Sequence, residues 1–148
     1  IDLALPIGLY IAGSIKHDAT IKNYGLSMGV SFLANEAFTL LLKRTFQRTR
    51  PFEAYPELIY KKGTGGSYSM PSGHTSSAFS TATSLSLNFR KWYVVAPAYT
   101  YAAAVGYSRM YLGVHYPSDV LAGALIGSGT AYLTWKINKK LQNKRKNR

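Results

Sequence analysis

Three short clusters hold most of the side chains able to do chemistry. In the first, Lys43 and Arg50 are separated by six residues, and Pro51 follows. On a helix that spacing is almost two turns, about 10 Å along the axis, so two long cationic arms point the same way and can converge on one anion. In the second, Pro71-Ser72-Gly73-His74 stands directly before a segment of helical character. Ser72 is a candidate N-cap, and Gly73 lets backbone approach a ligand closely. Free N–H groups at a helix start bind phosphate, and His74 then stands beside that anion. In the third, Ser108-Arg109 is followed after five residues by His115 and after three more by Asp119. Arg109 offers a planar fork for two oxygens. Asp119 is spaced to accept the Nδ1–H of His115 across a helical turn, leaving Nε2 unprotonated and directed outward as a nucleophile or base. Pro117 suits a first helical turn and puts His115 just before it. Singly, each cluster also reads as an ordinary helix end.

The elements that must position these clusters are helices. Apolar segments recur at 3–14, 25–42, 74–89, 92–107 and 117–135, none with sustained period-2 alternation. Polar residues 16–23, Arg50-Pro51, the charged turn 88–91 and Pro117 separate them. The fold expected is all-α, a bundle of five helices. With alternate crossings, all three clusters fall at the same end of that bundle. Residues 51–73 form the one long connection, with Gly63-Thr64-Gly65-Gly66 giving it freedom to move.

The chain has 148 residues, 18 Lys and Arg against 6 Asp and Glu, a formal charge of +12 and no cysteine. That fits one domain over 1–148 with a basic tail at 136–148, and excludes a disulfide scaffold, a thiolate metal site and a cysteine nucleophile. The charge calls for an anionic partner: nucleic acid, acidic lipid headgroups or a phosphorylated molecule. The sequence begins at Ile1 and runs straight into apolar residues, so a further N-terminal segment is expected.

Hydropathy does not separate a membrane bundle from a soluble one. A membrane span needs roughly 20 apolar residues, the mean hydropathy is −0.07, and segment 74–87 is rich in Ser and Thr and belongs inside a bundle. Charge placement favours the membrane. Lys16, Lys22, Arg90, Lys91 and the basic tail fall on one side, the cytoplasmic side by the positive-inside rule. Lys43, Arg44, Arg48, Arg50, Lys61, Lys62 and Arg109 lie on the other, where a task must keep them. Glu36, mid-helix, is costly in a membrane and is expected to hydrogen-bond to the Ser/Thr-rich helix.

Together the clusters resemble the signature of the type 2 phosphatidic acid phosphatase superfamily, which includes lipid phosphatases, bacterial acid phosphatases and vanadium haloperoxidases. All eleven fixed positions of K-x6-RP, PSGH and SR-x5-H-x3-D are present between Lys43 and Asp119. The resemblance implies that His115 takes the phosphoryl group as a phosphohistidine, that Asp119 orients it, and that His74 protonates the leaving oxygen. It assigns Lys43, Arg50, Ser72, Gly73 and Arg109 to a phosphate cradle, with no metal and no cofactor. It further implies a six-helix arrangement, with a first crossing upstream of Ile1. The function expected is a lipid phosphate monoesterase or diphosphatase in the bacterial inner membrane, its site on the extracytoplasmic face and no nucleic acid partner. The alternatives are a soluble exported acid phosphatase, a vanadium haloperoxidase, and a non-enzymatic basic module acting through the tail.

Overall fold

The computed structural model describes residues 3–63 and 65–146, with the side chains of 145 and 146 left aside; Thr64 of the flexible stretch and Arg148 of the basic tail lie outside the described residues. Five long helices and one short one follow each other: α1 (Ala4–Ile15), α2 (Ala19–Phe46), α3 (Pro51–Ala54), α4 (Gly73–Phe89), α5 (Trp92–Tyr111) and α6 (Pro117–Lys146). There is no strand among the described residues.

Several helices run past the limits expected from apolar pattern. The polar residues after Lys16 do not delay α2, because the Asp18 carboxylate accepts from the N–H groups of Thr20 (2.8 Å) and Ile21 (3.2 Å) and starts the helix at Ala19. At the other end α2 stops at Phe46 and not at Arg50, with Gln47 in the left-handed region at φ 45°. Helix α6 continues through residues 136–146, where Lys, Leu, Gln and Arg favour helix and no Gly or Pro intervenes.

Helix α4 lies at the centre, packed against α2, α5 and α6. Its contacts are unusually polar. Ser31 and Ser80 hydroxyls pair at 3.2 Å, Ser76 donates to Asn35 Oδ1 at 2.6 Å, Thr39 donates to Ser76 at 3.3 Å, and Thr83 bonds Tyr99 and Ser128. On α6, Gly123 and Gly127 let the α4 backbone approach. A β-carbon at Gly127 would stand 2.0 Å from the Ser76 carbonyl oxygen, and one at Gly123 2.6 Å from that of Ser72.

The distribution of polarity is the reverse of a water-soluble domain. The buried apolar residues are small or few, Met28, Ala78, Ala82, Ala102, Val114 and Ala131, whereas Ser31, Asn35, Thr39, Thr75, Ser76 and Ser80 are fully buried. Outside, Leu33, Leu41, Leu121 and Leu125 are 60 to 67% exposed. Water would penalise such a surface and a bilayer would not. The stretch Ala19–Ala54 also contains a window long and apolar enough to cross a membrane.

Candidate active site

Helix α2, the start of α4, the long connection and the chain just before α6 border a cavity of about 500 Å³. Lys43, Arg50, Gly73, His74 and His115 line it, together with Glu36, Ser77, Gly66, Ser67 and the apolar Leu3, Phe32 and Leu40. Five of the eight residues expected at the site therefore line one cavity. Asp119 lies directly behind His115, while Ser72 and Arg109 do not line the cavity.

Lys43 and Arg50 converge, but not along one helix. Lys43 sits in the last turn of α2, whereas Arg50, after the Gln47 reversal, is extended at the start of α3. Backbone carbonyls hold both arms. Lys43 Nζ donates to the Tyr68 carbonyl at 2.8 Å. Arg50 donates from Nε to Ser67 (3.0 Å), from Nη1 to Val114 (2.9 Å) and from Nη2 to Tyr68 (3.3 Å). Arg50 is thus a buried brace joining the long connection to the strand of chain before α6, and it fixes a positive charge beside His115.

His115 precedes α6 by two residues, following a turn in which Gly113 has φ +70° and a β-carbon would meet Ile59 at 2.8 Å. Arg50 Nη1 lies 3.4 Å from Nε2, and because a guanidinium can only donate, this contact is a hydrogen bond in the tautomer that carries its hydrogen on Nδ1. Nδ1 faces Asp119 Oδ2 at 3.6 Å, slightly beyond hydrogen-bond length, and is buried with no closer partner. The expected His115–Asp119 bond across a helical turn is therefore open here. The reason is that Asp119 is the third residue of α6, where its Oδ2 accepts from the Tyr116 N–H at 2.9 Å and from the Ser69 hydroxyl. Burial above all, aided by the Arg50 and Lys43 charges and opposed by Asp119, holds the His115 imidazole below its ordinary pKa.

Asp119 has a partner that spacing did not reveal. Arg48 Nη1 donates to Asp119 Oδ1 at 2.8 Å and to Ser118 Oγ at 2.7 Å, and its guanidinium stacks 3.9 Å over the Tyr116 ring. The backbone adds two ties: Ser69 N–H to the Arg48 carbonyl (2.8 Å) and Ser72 N–H to the Asp119 carbonyl (3.0 Å). Ser69 and Arg48 are thus the positioning residues that sequence reasoning missed.

Two expected cradle residues behave differently from expectation. Ser72 occupies the N-cap position of α4, but its hydroxyl pairs with that of Thr75 at 2.8 Å and caps no N–H. The start of α4 is thereby left uncapped by its own side chain, which suits an incoming anion. Arg109 Nε contacts its neighbour Ser108 Oγ at 3.4 Å, and the Arg109 carbonyl accepts from Val114 to close the turn before His115. Glu36 meets the expectation of a bond to the hydroxyl-rich helix, accepting from Ser77, and it faces the cavity as well.

Comparison with known proteins agrees with this architecture. The chain is 32% identical to an undecaprenyl-diphosphatase of Sulfolobus acidocaldarius over 116 residues, 78% of this chain and 56% of that one. It is 39% identical to a lipid A 4'-phosphatase of Bacteroides thetaiotaomicron over 95 residues, 63% of this chain and 42% of that one. The chain thus spans about half the length of the relatives it matches. Among solved structures, Aquifex aeolicus LpxE superposes with a TM-score of 0.68 at 30% identity, covering 90% of this chain and 77% of that one. A transmembrane PAP2 type phosphatidylglycerolphosphate phosphatase from Bacillus subtilis superposes with a TM-score of 0.66 at 26% identity, covering 93% and 77%. The family model of the PAP2 superfamily matches residues 24–143, which include every residue of the cavity wall except Leu3, and the chain belongs to that superfamily.

Proposed function

We propose that this chain forms the catalytic part of an integral membrane phosphatase that cleaves a lipid phosphate ester or diphosphate through a phosphohistidine. The observation that carries the reading is His115 Nε2, an acceptor facing a cavity that also holds Lys43, Arg50 and His74. Phosphoryl transfer asks the protein mainly for an in-line nucleophile, a proton donor and fixed positive charge.

The substrate phosphate sits between Lys43, Arg50 and the start of α4. His115 Nε2 attacks phosphorus, the ester P–O bond breaks, and the departing oxygen takes a proton from His74. Water then returns a proton to His74 as it attacks the phosphohistidine, and release of phosphate restores neutral His115. Throughout, Nδ1–H stays on the Asp119 side, where the carboxylate stabilises positive charge on the ring. Arg48 and Ser69 hold that carboxylate still. Arg109 serves through its carbonyl in the turn, and Ser72 through the helix start.

The apolar exterior supports residence in a bilayer. Lys16, Lys22, Arg90, Lys91 and the basic end of α6 sit at the bundle end away from the cavity, which supports a cytoplasmic position for them and an extracytoplasmic site. The test is release of inorganic phosphate by the protein in detergent from a panel of lipid phosphates and prenyl diphosphates. Turnover of at least one, lost in His115→Ala, is the expected result; turnover of none, or full activity of His115→Ala, overturns the assignment.

A further inference from the structure

One charge on the cavity wall has no part in the phosphoryl transfer just described. Glu36 is the one acidic side chain among the described residues that line the cavity. It stands on α2 seven residues before Lys43, and the Ser77 hydroxyl that it binds lies 3.0 Å from the Gly73 carbonyl, which brings the carboxylate to the start of α4. A carboxylate there repels phosphate and is expensive at membrane depth, so a purely structural tie to Ser77 would be better made by a neutral residue.

Its place relative to the reaction axis gives it a use. Glu36 Oε1 accepts from the Ser77 hydroxyl, and Ser77 lies one turn beyond His74 on α4, so the carboxylate sits on the His74 side of the cavity. In an in-line displacement from His115, the departing group leaves on that same side. Apolar Leu3, Phe32 and Leu40 line the cavity with it, as the hydrocarbon of a lipid would require. A carboxylate offers about four lone-pair sites, and Ser77 uses one.

Resting on the phosphatase reading above, we infer that Glu36 selects the leaving group. It accepts a hydrogen bond from a hydroxyl next to the phosphoester carbon, and it disfavours a second phosphate at that position. The preferred substrate class is therefore a lipid phosphate monoester whose alcohol carries a neighbouring hydroxyl, such as a phosphorylated glycolipid or phosphoglycerol lipid, over a prenyl diphosphate.

The experiment compares a 2-hydroxyalkyl phosphate, the alkyl phosphate of equal chain length and the corresponding alkyl diphosphate in detergent. The native chain favours the hydroxylated ester by about tenfold or more in kcat/KM, chiefly through KM, as loss of a charge-assisted hydrogen bond implies. Glu36→Ala brings the ratio within about twofold, and isosteric Glu36→Gln, which keeps a carbonyl acceptor for Ser77, reduces it to about threefold. Both raise kcat/KM for the diphosphate, a gain that damage to the fold does not produce. Ser77→Ala removes the structural tie but keeps the ratio. Equal turnover of the two monoesters by the native chain, or a ratio unchanged in Glu36→Gln, overturns the inference alone. Collapse of the ratio in Ser77→Ala as large as in Glu36→Ala also overturns it, in favour of a structural role. Hydrolysis of none of the three overturns the phosphatase reading with it.

Discussion

In the proposed route His115 is the nucleophile. Its reactivity depends on keeping Nε2 unprotonated, and the structure does so by burial and by the Arg50 guanidinium at 3.4 Å. Because the folded pKa lies below the ordinary value of about 6.5, the neutral ring persists into mildly acid solution. The acid limb of kcat/KM should therefore lie below about pH 6.5, and a pH–rate profile in a broad-range buffer checks it; a limb above that value contradicts the assignment. His74→Ala should abolish turnover of an alkyl phosphate, whose leaving oxygen needs a proton. Asp119→Asn should leave weak residual activity, reduced on the order of 10²- to 10⁴-fold, since it disturbs ring orientation and keeps the nucleophile. Arg48→Ala, which frees the Asp119 carboxylate from a 2.8 Å bond, should lower kcat by about 10- to 100-fold and leave KM nearly unchanged, measurable by steady-state kinetics. The contact of Arg48 with Asp119 was not legible in the sequence. Arg48 makes its bond across 71 residues, and only because Gln47 turns the chain left-handed where an unbroken helix was expected.

Among the elements, α4 and α6 carry the site, since one presents His74 and the other anchors Asp119. Their close approach depends on glycine at the contact face of α6 and not on glycine generally. Gly127→Ala places a methyl 2.0 Å from the Ser76 carbonyl and should destabilise the fold by about 3 kcal/mol or more. Gly129→Ala, with nothing within 4 Å, should be neutral or stabilising by up to about 1 kcal/mol through helix propensity. Thermal unfolding of the two variants in detergent separates them; equal midpoints would contradict the packing described. The helices themselves were legible, because long runs with turn residues between them admit few other readings. Their ends were less so. Asp18 capping and the Lys-rich continuation of α6 are set by local polar chemistry that an apolar pattern does not record. The hydroxyls of α4 did announce a buried helix, since eight Ser and Thr between 75 and 86 cannot face lipid.

At the scale of the molecule, the polar interior and apolar exterior decide the environment, and the hydropathy average of −0.07 conceals it by adding the two together. The same averaging hides the charge pattern. The cations are divided between the cavity end, where protein groups hold Lys43, Arg48 and Arg50, and an opposite end where Arg90 and Lys139 lie beside the Trp135 ring. The signature positions were legible because the family pattern fixes residue types at set spacings. Side-chain contacts were not, as Ser72 shows by pairing with Thr75 and Arg109 by contacting Ser108. The proposed route through a phosphohistidine calls for no metal. EDTA should accordingly leave phosphate release unchanged, while vanadate, which mimics the five-coordinate phosphorus, should inhibit it. The most direct measurement is capture of the covalent intermediate. Enzyme quenched in base during turnover of a ³²P-labelled lipid phosphate should carry acid-labile label on His115, and none in His115→Ala. Label on another residue, or steady turnover with no labelled protein at any quench time, would contradict the phosphohistidine route.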